Sequence, residues 1–224
     1  MIGTRLLIAI FAGVSLITVA ASARGGDPGC PIAAPARVQI NLARGAAAHV
    51  ETDISLQQMR EAAEGHHHPI LGLYVGTFRY GIEIDDTIRQ LAPDRFCATP
   101  KYVSLTGQLD RAIHIPREFV DDSCLAALAR DHETKHAVAD ATAFDHARSP
   151  LSSAIRVAVR ANTIAASDSR LHALALLTTG IQTAIDQVFD EMATERRRLD
   201  AAVDSPAELE HMKTGCEGRA AVMQ

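Results

Sequence analysis

The segment ARDHETKHAVAD carries His132, Glu133 and His136 in the order H-E-x-x-H. On an α-helix, residues i and i+4 lie about 6 Å apart along the axis and about 40° apart around it, so two imidazoles at that spacing converge on one ion. Glu133 stands at the next position round, where its carboxylate reaches a water on the metal without being a ligand itself. Zinc lowers the pKa of such a water from about 15.7 to about 7, and the carboxylate then takes its proton and delivers it to a leaving group. The chain holds 10 histidines in 224 residues. At its His and Glu frequencies, the pentapeptide arises by accident roughly 0.03 times in a chain of this length. The bland alternative is a pair of solvated histidines flanking a glutamate.

A catalytic zinc site takes three protein ligands and leaves a position open, so a third donor is needed. A metzincin continuation would require Gly at 139 and His at 142, where this chain has Ala139 and Thr142. His146 follows His136 by about 15 Å of helix, too far to share an ion. Asp140 continues the row of His132 and His136, at a distance suited to a hydrogen bond onto a ligand rather than to ligation. On the last long helical segment, Ile181, Ile185, Val188, Met192 and Leu199 form an apolar stripe with Glu195 in its gap. A carboxylate on a buried face is costly unless paired or metal-bound, which makes Glu195 the expected third ligand, with Glu191 and Asp190 as open alternatives. Tyr102, His114 and His146 are the side chains available to assist an oxyanion, although packing explains each as well. The histidine loop GHHHP, residues 65–69, has no carboxylate or cysteine close by in sequence and reads as solvated; a weak metal-binding loop is the rival reading.

The elements that must position these residues change character midway. RVQINL alternates with period two, as a half-buried strand does. SLQQMREAAE begins with Ser55 as N-cap of a short helix. LGLYVGTFRYGIEI, with its three glycines, reads as a long strand open to bulging, and YVSLTGQLDRAIHI as a hairpin turning near Gly107 to Asp110. From Ser123 the apolar period becomes three and four. Helices are expected over 123–147, 152–165 and 169–200, with Gly180 a weak point and Pro150 and Pro206 as boundaries. Strands followed by helices argue for an α+β fold, with an antiparallel β-rich N-terminal half and a helical C-terminal half carrying the motif helix.

Residues 1–23 (Arg5, the apolar run LLIAIFAGVSLITVA, then ASA) have the layout of a cleaved secretory signal peptide, leaving one domain over 24–224. The apolar run is shorter than the ~20 residues that span a bilayer, so no stable membrane insertion is expected after cleavage. A net charge of −5 gives no footprint for nucleic acid, and RRR at 196–198 reads as a solvated face. The 4 cysteines of an exported chain are expected in disulfides. The pairings favoured are Cys97 with Cys124, closing a short segment, and Cys30 with Cys216, tying the ends.

With its signal peptide, β-rich first half, HETKH helix and helical second half ending near a cysteine, the chain resembles the small secreted bacterial proteins classed as predicted zinc-dependent proteases of zincin type, many of them filed as domains of unknown function. The resemblance rests on the motif helix and the general layout of the C-terminal half. It implies a zincin-like fold holding Zn2+ through His132, His136 and a donor from a downstream helix, with Glu133 as general base. It also implies a peptide or protein substrate lying antiparallel to an edge strand, for which RAIHIPREF, with Pro116, is the expected strand. The gluzincin continuation N-E-x-x-S-D is missing. The function expected is a secreted or periplasmic zinc metallopeptidase; the alternative is a non-catalytic envelope structural or binding protein that keeps the fold.

Overall fold

The computed structural model describes residues 30, 34–62, 70–161, 165–217 and 219. The expected signal peptide, residues 1–23, and the histidine loop, residues 65–69, lie outside those residues. In chain order the elements are β1 (Arg37–Ala43), β2 (His49–Glu51), α1 (Leu56–Ala62), β3 (Leu73–Ala92), β4 (Arg95–His114), a 3-10 turn (Arg117–Phe119), α2 (Ser123–Ala161), β5 (Ala165–Ser167), α3 (Arg170–Val203) and α4 (Pro206–Thr214). Strands and helices are thus mixed, with most strands first and the long helices last, as the change of period implies.

β4 is the spine of the sheet. β3 pairs antiparallel with it from Ala92↔Arg95 to Leu73↔His114, taking one edge for its whole length. A strand has two edges, so β1, β2 and β5 share the other. β1 and β2 run parallel to β4, from Arg37↔Tyr102 and His49↔Ala112, and β5 runs antiparallel from Phe96↔Ser167. The sheet is therefore mixed rather than antiparallel. Alternation reports which face a residue takes and says nothing of strand direction.

The hairpin expected at Gly107 to Asp110 is instead the middle of β4, and the turn between the long strands falls at Pro93 and Asp94. Gly107 serves close packing: a Cβ there would meet Leu42 Cδ2 and Phe78 Cζ at 2.8 Å. RAIHIPREF is likewise no edge strand, since β4 is paired on both sides and Pro116 follows its end. The bulges of β3 lie between Asp85 and Asp86 and between Gln90 and Ala92, away from its glycines.

One sheet face is covered by helices. Val38, Ile40, Leu42, Val103 and Leu105 pack with Leu151, Ile155, Leu177, Ile181 and Ile185 in the main core. A second cluster joins Leu71, Ile113, Ile115 and Phe119 to Leu125, Ala129 and Met212. α1 starts with reciprocal capping, in which Ser55 Oγ accepts from the Gln58 amide at 3.2 Å and Gln58 Oε1 accepts from the Ser55 amide at 2.8 Å. α3 starts at the Ser169 cap and passes Gly180 without interruption.

α2 also runs through Pro150, so two expected helices are one. Its buried row Phe144, Ala147, Leu151, Ile155 and Val159 continues across the proline, which sits on the exposed side. Packing of that row holds the helix together against the lost backbone bond, which costs about 3 kcal/mol in a helix interior. Pro150→Ala should therefore raise stability by about 1–3 kcal/mol in urea unfolding. If residue 150 were a true boundary between helices, the gain would be absent.

Candidate metal centre

α2 and α3 lie side by side with opposite direction. Their polar contacts form a ladder in which His146 faces Glu195, Asp140 faces Arg196, His136 faces Asp200 and His132 faces Asp204. α4 extends the ladder past a break in the chain, because Glu208 reaches His132 Nδ1 at 3.5 Å and Lys135 Nζ at 2.6 Å. The break is built from Ser205, whose Oγ accepts from the Glu208 amide at 3.4 Å, and from Pro206 at the first turn of α4. Asp204 is the C-cap of α3, where the chain leaves the helix and its side chain can turn toward α2.

Three donors meet there. His132 Nε2 and His136 Nε2 are 3.3 Å apart, and Asp204 Oδ1 is 3.4 Å from the first and 3.2 Å from the second. A tetrahedral ion with bonds of about 2.0–2.1 Å separates its ligand atoms by about 3.3–3.4 Å, so the trio has the spacing of three corners of one coordination sphere. Two Nε2 atoms facing each other beside a carboxylate also satisfy one another poorly, and a shared cation resolves the conflict. Each ring turns its other nitrogen to an acid: His136 Nδ1 is 3.0 Å from Asp200 Oδ1, and His132 Nδ1 faces Glu208. Such carboxylates fix the ring orientation and tautomer that leave Nε2 free for a metal.

Glu133 is buried on the same helix and lines a cavity of about 290 Å³ together with the trio, Gly72, Tyr74, Leu209 and Met212. Burial pushes its carboxyl up to about 7, although charge on His136 and the Tyr74 amide hydrogen bond pull the other way. Burial, with charge on His136, lowers His132; burial also pulls His136 down, but the hydrogen bond with Asp200 and the charges of Asp204, Glu133 and Asp200 carry it above its usual value. Gly72 lets the start of β3 approach: a Cβ there would sit 2.7 Å from Glu133 Cγ, and one at Gly76 would collide with Asp140. Asp140, buried, accepts from the Tyr74 hydroxyl at 2.6 Å and faces Arg196 Nε at 3.5 Å. It braces the site from beside it and does not contact the histidines.

His132, Glu133 and His136 thus share one cavity, and Glu195 is not brought to them. Its carboxylate is held by Arg198 through bonds of 2.7 Å to each oxygen, with His146 at 3.7 Å. Its place in the stripe gap is answered by an arginine one turn on. Glu191 bonds Gln187, and both Glu191 and Asp190 border a shallow surface depression elsewhere. The position expected of Glu195 is filled by Asp204. The legible signal was the row Asp200, Asp204 and Glu208 at spacing four, the counterpart of His132 and His136 on a facing helix. Tyr102, His114 and His146 do not line the cavity.

The four cysteines form Cys30–Cys97 and Cys124–Cys216, which corrects both expected pairs. Cys97 lies near the start of β4 and Cys124 just past its end, so roughly 55 Å of extended strand separates them. The actual bonds anchor the N-terminal segment to the spine strand and the end of α4 to the start of α2. Disulfides of this kind belong to an oxidising compartment. Among the described residues, no helix is long and apolar enough to cross a membrane.

Comparison with known protein families, with curated proteins and with solved structures finds no match for this chain.

Asp204→Ala should abolish tight metal binding, Asp200→Asn should weaken it about 10–100-fold, and Glu195→Ala should leave it unchanged. Competition titration with a chromogenic chelator reads all three.

Proposed function

We propose that the protein is an exported zinc metallopeptidase of zincin-like architecture, with His132, His136 and Asp204 as ligands and Glu133 as general base. The observation that carries this reading is the 3.2–3.4 Å triangle of donor atoms opening on the same cavity as a buried carboxylate. Two imidazoles and one carboxylate favour zinc over calcium or magnesium, which prefer all-oxygen sites. An ion bound there supplies Lewis acidity toward a carbonyl and acidifies water.

The chain's own groups do the rest. Glu133, held near neutrality by burial, is matched to taking a proton and returning it to a leaving amine at ordinary pH. The Tyr74 amide fixes one side of that carboxylate. Asp200 and Glu208 hold the two rings, and Lys135 holds Glu208. Leu71, Leu209 and Met212 give the cavity an apolar wall. The start of β3, which also lines the cavity, pairs with β4 on one edge and has no strand on its other edge among the described residues. That edge is the one available for main-chain pairing with an extended peptide, which gives affinity with little sequence preference. Export is supported by the two disulfides and by the signal-like leader.

The test pairs metal content with turnover. Purified protein should contain one zinc per chain at this site, and Glu133→Gln should keep that ion while losing about 10²–10⁴-fold in peptide-hydrolysis rate. A non-catalytic binding protein would show the same ion and no difference between native protein and Glu133→Gln in any assay. Equal, negligible zinc in native protein and in His132→Ala, His136→Ala protein would end the proposal altogether.

A further inference from the structure

The sheet face away from the helices carries a second group of metal-binding side chains. Register places Glu51 of β2 directly beside His114 of β4. Paired residues of neighbouring strands share a face, so the two side chains stand together, and Asp53 follows from the connector to α1. His114 Nδ1, Glu51 Oε2 and Asp53 Oδ1 are close, at 3.2 Å and 3.9 Å from the imidazole nitrogen, and a ligand atom of each residue lies within 4.8 Å of the others. The His114 nitrogen is buried, yet it makes no hydrogen bond. Glu51 and Asp53 lie within ion-pair distance of that nitrogen without satisfying its hydrogen bonding, which leaves it a donor atom for a cation.

The surroundings prepare Glu51 for that point. His49 Nε2 lies 2.7 Å from Glu51 Oε1, and since an ionised carboxylate only accepts, the imidazole donates. One carboxylate oxygen is thereby committed, and the other is left facing His114. The backbone is pinned as well: the Ile115 amide donates to the Glu51 carbonyl at 2.8 Å and the Arg117 amide to the Ile54 carbonyl at 3.0 Å. Donors from β2, the connector and β4 are thus held in register by main-chain bonds.

We propose that Glu51, Asp53 and His114 form a second divalent-cation site, of the zinc, cobalt and nickel class, separate from the cavity at His132 and His136. One imidazole with two carboxylates selects borderline transition ions over calcium and magnesium. The ion would clamp β2 and the start of α1 to the end of β4, immediately before the chain enters α2. The site does not depend on the reading of the first one, nor on catalysis.

The experiment is a Zn2+ titration of chelator-stripped protein by calorimetry, with the count of ions confirmed by elemental analysis. All proteins carry alanine at His66, His67 and His68, so that the histidine run adds no sites. This background should take two ions per chain. His132→Ala, His136→Ala protein should keep one, and adding either Asp53→Asn or His114→Asn should weaken that remaining ion at least tenfold. Conversely, Asp53→Asn in the otherwise unaltered background should leave one tight ion. Asp53 is largely exposed, so its loss leaves the core intact, and circular dichroism checks each variant. The proposal fails if His132→Ala, His136→Ala protein takes no ion, or if its ion is indifferent to both Asp53→Asn and His114→Asn.

Discussion

A pair of imidazoles one turn apart offers only two donors, and what brings a third beside them here is the antiparallel contact of two long helices. From Arg196 at Asp140 through Asp200 at His136 to Asp204 at His132, each polar rung advances four residues on α3 as it retreats four on α2. The rungs are placed by apolar packing farther along, where Leu151 and Ile155 meet Leu177, Ile181 and Ile185. A shift of one turn, about 5.4 Å, would put Asp200 where Asp204 now stands and leave His136 without its partner. The site's precision is therefore a property of the core.

Gathering Glu133, Asp140, Asp200, Asp204 and Glu208 around one stretch of helix is unfavourable unless positive charge is close by. Arg196 lies between Asp140 and Asp200, and Lys135 bonds Glu208. These two cations each answer carboxylates at the flanks. At the centre, Asp204 faces only imidazoles. On the proposed reading, a divalent ion would supply positive charge at that point, where the donor spacing matches a ligand shell. Charge and geometry thus lead to the same requirement by separate routes.

Much of this was legible in the residues, and the failures have physical causes. The H-E-x-x-H turn, its helix and the strand at 37–43 follow from period and spacing alone. Glu195 misleads because an apolar stripe on one helix locates a face but not the partner that meets it; Arg198 satisfies that acid locally, three residues away. Asp204 was hidden by its position beyond the expected end of the helix, although Ser205, Pro206 and Glu208 spell the start of another. The hairpin at Gly107 failed for a related reason. A glycine between two alternating runs marks a turn or a close approach, and only the bulk of Phe78 and Leu42 opposite decides which. The cysteine pairing depended on the length of β4, which the expected hairpin had halved.

The corrected disulfides bear on the site as well as on the compartment. Asp204 and Glu208 flank the break between α3 and α4, and a short helix held by a few apolar contacts opens readily. Met212 packs into the cluster of Leu125 and Ala129, and Lys135 grips Glu208, but both act through side chains that can let go. Cys124–Cys216 closes the same region covalently, from the first turn of α2 to the residue just past α4. Removing chain freedom at that end narrows the range of positions open to the carboxylates before any ion arrives, so less ordering remains to be done on binding. The covalent tie and the candidate third donor therefore lie on the same short segment.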